Sequence, residues 1–239
     1  VGEELRDRVI LIGGATGALG SAVTRVFART GAKLALTSTS EGELAELADE
    51  LALPEERLLI STVDATDSES VEGLASAVVD RFHGLHILLN TIGGWGGGKT
   101  VAETAVEDWE WMLTLNLRTA FLMSRAVIPH MVEAGWGRIV HTSSKTAVEP
   151  RAKQAGYAVA KMGLITLTET IATDLKGTGV TANVVLPSII DTPANRRMMS
   201  SADPSRWVSP EAIAGTMRFL CSDAAGSING ERIRVYGAV

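Results

Sequence analysis

The chain has 239 residues, 46% of them hydrophobic and 21% charged, which is enough apolar material for a buried core and too much for a disordered tail. Its 28 acidic and 22 basic residues leave a formal net charge of −6, which argues against a nucleic-acid binder. A single cysteine, Cys221, cannot form an intrachain disulfide, and no apolar run reaches the roughly 18 residues of a membrane span.

In chain order, an apolar strand over 9–13 precedes a helix over 18–30 that stops at Gly31. Strands follow over 33–37, 58–62, 87–90, 138–142, 181–186 and 231–235. Helices separate them over 42–51, 67–82, 106–134, 157–176 and 210–221. These short apolar strands lack polar alternation, as central parallel strands covered on both faces should. The order predicts an α/β fold: one doubly wound parallel sheet, a single domain over 1–239 with no linker or repeat dividing it. The charged start, 1–8, does not read as a leader peptide, so the cytoplasm is the expected location. Cys221, in the helical stretch 217–222, reads as a buried, inert thiol.

Two irregular stretches directly follow strands and so fall at the carboxyl edge of the sheet, where ligands bind in such folds. One is the glycine-rich 93–98 with Trp95; the other, 187–209, has the length of a lid. Between the first strand and first helix runs Gly13-Gly14-Ala15-Thr16-Gly17-Ala18-Leu19-Gly20. Glycines there let a pyrophosphate approach the free N–H groups of a helix start, and the placement predicts a dinucleotide site. An acid at the end of the second strand would grip a ribose 2′-hydroxyl and repel a 2′-phosphate. This chain has Thr37-Ser38-Thr39-Ser40, with no carboxylate before Glu41, so NADP(H) is favoured and NAD(H) stays open.

Tyr157 and Lys161 stand one helical turn apart on one face, Ser144 lies thirteen residues before the tyrosine, and Asn116 lies in the preceding long helix. A free phenol has a pKa of about 10, and a nearby ammonium favours its ionised form. The ordered set resembles the short-chain dehydrogenase/reductase family over essentially the whole chain. That resemblance implies a Rossmann-type oxidoreductase moving hydride between NAD(P)H and a small carbonyl or hydroxyl substrate. It implies Tyr157 as acid/base, Lys161 as its pKa-lowering and ribose-holding partner, Ser144 as hydrogen-bond donor to the reacting oxygen, and Asn116 as carrier of a relay water. It also implies cofactor contacts at Gly14, Thr16, Gly17, Ala18, Leu19, Gly20, Thr37, Ser38, Thr39, Asp64, Ala65, Asn90, Gly93, Pro187, Ile190 and Thr192, besides Tyr157 and Lys161. Ala18 and Ser188 depart from the family's usual glycines.

A narrower resemblance, to the dihydropteridine reductases, rests on the glycine loop, on Gly93-Gly94-Trp95-Gly96-Gly97 and on 186–196, extended by Ala202-Asp203 and Trp207. It implies Trp95, with Ser144 and Tyr157, as substrate contacts, the indole stacking on a flat heterocycle. Ser144 and the missing acid after the second strand disagree with it. A non-catalytic dinucleotide-binding regulator is the alternative from another class, and the intact Tyr157/Lys161/Ser144/Asn116 set argues against it. His83, His86, His130 and His141 lack metal-ligand spacing, so no metal is expected, and no G-x-S-x-G elbow surrounds Ser144. Apolar faces over 109–131 and 157–175, with Trp111, Leu115, Phe121, Leu122, Leu164, Ile165, Leu167 and Ile171, predict self-association as a homodimer or homotetramer. No nucleic-acid or membrane partner is expected.

Overall fold

Strand β1 (Val9–Gly13) is buried at every position, and its side chains alternate between two separate cores. Ile10 and Ile12 pack with Val23 and Phe27 of α1 (Ala18–Ala28) and Ile213 and Met217 of α9 (Pro210–Leu220). Val9 and Leu11 pack with Val71, Leu74 and Val78 of α3 (Ser68–Phe82) and Leu122 and Val127 of α5 (Thr119–Glu133). A strand with apolar layers on both faces has no polar side to show, which explains the unbroken apolar runs.

The computed structural model describes residues 5–238; Val239 and the first four residues of the charged start lie outside them. The seven strands form one parallel sheet in the order β3-β2-β1-β4-β5-β6-β7. Here β2 is Lys33–Ser38, β3 Leu58–Thr62, β4 Ile87–Asn90, β5 Gly137–Thr142, β6 Val180–Pro187 and β7 Arg232–Val235. The chain reverses direction across the sheet between β1 and β4, which opens the ligand crevice of a doubly wound fold at their carboxyl ends. The remaining helices are α2 (Glu41–Leu51), α4 (Val106–Leu113), α6 (Lys145–Val148), α7 (Ala155–Asp174) and α8 (Pro193–Met198).

All seven expected strands are present, with ends shifted by at most one residue. Three expectations need correction. The helix over 106–134 is interrupted by a π-helical turn, Thr114–Arg118, in which the Thr119 N–H donates to the Thr114 carbonyl five residues back. The stretch 187–209 is not irregular throughout: it contains α8, and Ile189 to Asp191 pair with Val208 through two backbone hydrogen bonds of 3.0 and 2.8 Å. Finally, Leu122, Leu164, Ile165 and Ile171 belong to the chain's own core, because the sheet and neighbouring helices cover that side of α5 and α7. Val106 and Trp111 of α4, Phe121 and Val132 of α5, and Val159 and Met162 of α7 are left exposed. Among the described residues no helix is long and apolar enough to cross a membrane, and no cluster of metal-ligating side chains occurs.

Candidate active site

The glycine loop is shaped by close approach rather than by side chains. Gly14 has φ +74°, and a Cβ on Gly20 would stand 1.9 Å from the Gly14 carbonyl oxygen, so helix α1 can start where it does only with glycine there. Thr91, following β4, ties the loop down: its Oγ1 donates to the carbonyls of Gly13 (2.8 Å) and Gly14 (3.1 Å). Gly17 is the N-cap of α1, with no side-chain cap and no acid in the first turn. The first N–H groups of this helix are therefore left for an anion, and the loop fits a pyrophosphate. Ala18, where family members often carry glycine, lies exposed at the first helical position.

At the end of β2, Thr16 Oγ1 and Ser38 Oγ are 2.7 Å apart and Thr39 is exposed, so hydroxyls line this side of the loop. Thr37 does not join them. Its side chain is buried with no partner for Oγ1, and its carbonyl instead accepts the Ala15 N–H at 2.9 Å. Asp64 is committed locally, its Oδ1 accepting from Thr66 N (2.8 Å) and Thr66 Oγ1 (2.7 Å), which holds the carboxyl below its ordinary range. Ala65 beside it is partly exposed. Asn90 is buried: Oδ1 accepts the Ile92 N–H at 3.2 Å, and Nδ2 lies 3.4 Å from His141 Nδ1, so its side chain shapes the turn toward Gly93. Desolvation inside the sheet pushes His141 down to about 3, so this ring is neutral.

Ser144 caps α6, its Oγ accepting from Thr146 N at 3.2 Å, and hydrogen-bonds the Tyr157 phenol. Lys161, one turn along α7, is 4% exposed and donates to the Thr142 carbonyl at 2.8 Å, while Ser143 Oγ donates to the Lys161 carbonyl at 2.7 Å. Helix α7 is thus stitched to the end of β5 at two successive residues. The ammonium has three hydrogens and this one acceptor among the described residues, leaving donors for a ribose. Burial lowers it to about 8. The phenol departs from the sequence expectation: burial raises it, and Ser144 provides the opposing effect. The Lys161 Nζ lies 5.9 Å from the Tyr157 ring centroid and is turned to the Thr142 carbonyl, so it does not dominate the phenol's pKa here.

Asn116 sits in the π-helical turn, buried, and its side chain clamps the glycine-rich loop. Nδ2 donates to the carbonyls of Gly94 (3.0 Å) and Met112 (3.2 Å), and Oδ1 accepts the Gly94 N–H (3.1 Å). A Cβ on Gly93 would meet Asn116 Oδ1 at 2.8 Å and Lys161 Nζ at 2.9 Å, so the bare glycine keeps a gap open between them. Over this group lies an open cleft of about 270 Å³ lined by Ser144, Tyr157, Trp95 and the start of 187–209. Trp95 is half exposed at its rim. Thr192 is buried with Oγ1 capping α8 at Asn195 N (3.1 Å), and the Ile190 carbonyl accepts from Asn195 Nδ2 (2.8 Å). Ser188, in place of the usual glycine, donates to the Tyr236 carbonyl at 2.6 Å, and Pro187 ends β6 beside the cleft.

A model of the short-chain dehydrogenases matches residues 8–203. The chain is a short-chain dehydrogenase/reductase. The 3-oxoacyl-[acyl-carrier-protein] reductase FabG of Vibrio cholerae is 30% identical over 243 residues, covering 98% of both chains. D-threitol dehydrogenase of Mycolicibacterium smegmatis is 29% identical over 242 residues, covering 98% of this chain and 93% of that one. A Brucella melitensis structure described as a short-chain dehydrogenase/reductase of the glucose/ribitol dehydrogenase type superposes with a TM-score of 0.91 at 28% identity, covering 98% and 97%. Membership makes this chain an NAD(P)-dependent oxidoreductase of Rossmann-like fold.

The sequence singled out most of the side chains gathered here, but not Gln154, Lys145, Glu149 and Arg151, which also line the cleft. Gln154 is the N-cap residue of α7, just before the helical pattern begins, so its spacing to Tyr157 carried no signal. Lys145 follows Ser144 in α6, and Glu149 and Arg151 are brought to the cleft by the turn over 149–154, which carries no periodic signal.

Proposed function

We propose that this short-chain dehydrogenase/reductase reduces the carbonyl group of a small organic substrate, with NADPH preferred over NADH. The observation that carries this reading is the Ser144–Tyr157 hydrogen bond at the base of the cleft, with the buried Lys161 ammonium behind it. When bound, the reduced nicotinamide supplies a hydride to the carbonyl carbon. Negative charge then gathers on the carbonyl oxygen, where Ser144 Oγ donates a hydrogen bond and Tyr157 Oη delivers the proton. Lys161 offers its spare N–H groups to the ribose and favours the phenolate left behind. Asn116 holds Gly94, and with it the loop bearing Trp95, against the π-helical turn. Thr16, Ser38 and Thr39 offer hydroxyls, with no carboxylate among them, to a ribose 2′-phosphate, which supports NADPH. Exposed Trp111, Phe121, Val159 and Met162 on neighbouring helices support a homodimer or homotetramer.

The dihydropterin reading keeps one supporting observation, the exposed Trp95 indole at the cleft rim. A reductase screen with NADPH and NADH in parallel, covering ketones, oxoacyl thioesters, quinones and quinonoid dihydropterin, tests both. Carbonyl reduction that falls about 10²-fold or more in Ser144→Ala supports the main reading. Efficient dihydropterin turnover that survives the same change would replace it.

A further inference from the structure

The cleft above Ser144 and Tyr157 carries a charge that proton delivery does not use. Lys145, Glu149 and Arg151 all line it. Lys145 Nζ lies 3.4 Å from Glu149 Oε2, so these two charges offset each other. Arg151 has no hydrogen-bond or ion-pair partner among the described residues, which leaves the wall one positive charge in a chain of net −6. The turn that presents Arg151 is fixed. The Gly98 N–H donates to the Lys153 carbonyl at 2.8 Å, and a Cβ on Gly97 would stand 2.7 Å from that same oxygen. The turn and the Trp95 loop therefore pack at a spacing only glycine permits.

A second observation lies in the same wall. Gln154 Oε1 is buried and has no donor. An exposed guanidinium without an acceptor and a buried carbonyl oxygen without a donor make complementary demands on whatever fills the cleft. A planar guanidinium matches a carboxylate through paired N–H groups, and a hydroxyl on the substrate would satisfy Gln154. The facing wall, with Ile189, Ile190 and Met198, suits a carbon skeleton.

Resting on the carbonyl-reductase reading above, we infer that the substrate is an oxo acid: Arg151 takes its carboxylate, and Gln154 accepts a hydrogen bond from a hydroxyl beside the carbonyl. Both are specificity-determining residues, distinct from the groups that move the proton.

The test is steady-state kinetics on matched pairs: pyruvate, acetoacetate and benzoylformate, each against its methyl ester, and hydroxypyruvate against pyruvate. The acids should exceed their esters at least tenfold in kcat/KM at low ionic strength, and salt should shrink that ratio. Arg151→Gln should collapse the ratio at least tenfold through the KM of the acids, with Arg151→Lys retaining part of it. Hydroxypyruvate should exceed pyruvate severalfold, and Gln154→Met should abolish that difference. Esters turned over as well as acids, or both slowed equally by Arg151→Gln, would overturn the oxo-acid inference while leaving the reductase reading standing. Equal rates for hydroxypyruvate and pyruvate would overturn the role of Gln154. Failure of every acid and ester to turn over, with a neutral ketone or oxoacyl thioester reduced, would overturn this inference and leave the reductase reading standing.

Discussion

Strand β5 has a buried cation near each end, and the two are treated in opposite ways. At its start, Arg138 is 4% exposed and surrounded by partners: Nη1 donates to the carbonyls of Gly137 (2.8 Å) and Gly179 (3.2 Å), and Nη2 lies 3.8 Å from Asp223. Trp136 lies under the guanidinium at 4.3 Å, and its own N–H donates to Asp223 at 3.1 Å. Beyond its carboxyl end, Lys161 is equally buried but donates to a single carbonyl, and burial pulls it down to about 8. Among the described residues, Arg138 is met by acceptors at Nη1, a carboxylate near Nη2 and a ring face, though its Nε has no hydrogen-bond partner; Lys161 has one acceptor and stands beside an open cleft. Incomplete satisfaction of a buried ammonium marks the functional end of the sheet.

Removing the proton donor should produce the largest effect at the Lys161 end. Tyr157→Phe keeps the ring and its packing, and should lower kcat for carbonyl reduction by about 10²–10⁴-fold with dinucleotide affinity retained, measured by single-turnover kinetics and a binding titration. At the other end, Arg138→Met removes the side-chain donor to the Gly137 and Gly179 carbonyls and the positive charge facing Asp223. It should destabilise the fold by about 3 kcal/mol, read as a loss of Tm on the order of 10 °C, with kcat/KM changed less than twofold. A large activity loss without a stability loss in that variant would erase the distinction between the two ends.

A smaller effect separates the cations by pH. Lys161 is charged below about 8 and loses its proton as pH rises through that value, so kcat/KM for the dinucleotide should fall on the alkaline side near pH 8. Lys161→Arg, which stays charged, should move that limb out of range whatever it does to the absolute rate.

The sheet was legible in the sequence because buried parallel strands must be apolar throughout, and the glycine loop because the Gly20 approach to Gly14 tolerates no side chain. Tyr157, Lys161 and Ser144 were legible by spacing. The π-helical turn was not: residues 106–134 hold a helical pattern throughout, and the widening is bound up with the Asn116 clamp on Gly94, a contact spanning 22 residues. Thr37 was misplaced because a strand end does not reveal which face its last side chain takes, and here it faces inward. Helical spacing brings Lys161 near Tyr157 without fixing where the ammonium points, and it points to the Thr142 carbonyl.

Lys161→Met, assayed for activity and thermal stability in one preparation, probes the contrast most directly. The folded protein holds this proton less tightly than the unfolded chain does. Below about pH 8 both states are protonated, and burial then costs about 3 kcal/mol, a penalty that shrinks as pH rises from 8 toward 10.5. At pH 7, replacing the ammonium by an apolar group of similar length should stabilise the fold by about 2 kcal/mol after the loss of one hydrogen bond, while cutting turnover about 10²-fold or more. A variant that loses stability and keeps its turnover would show Lys161 to be a structural cation like Arg138, and would contradict the account.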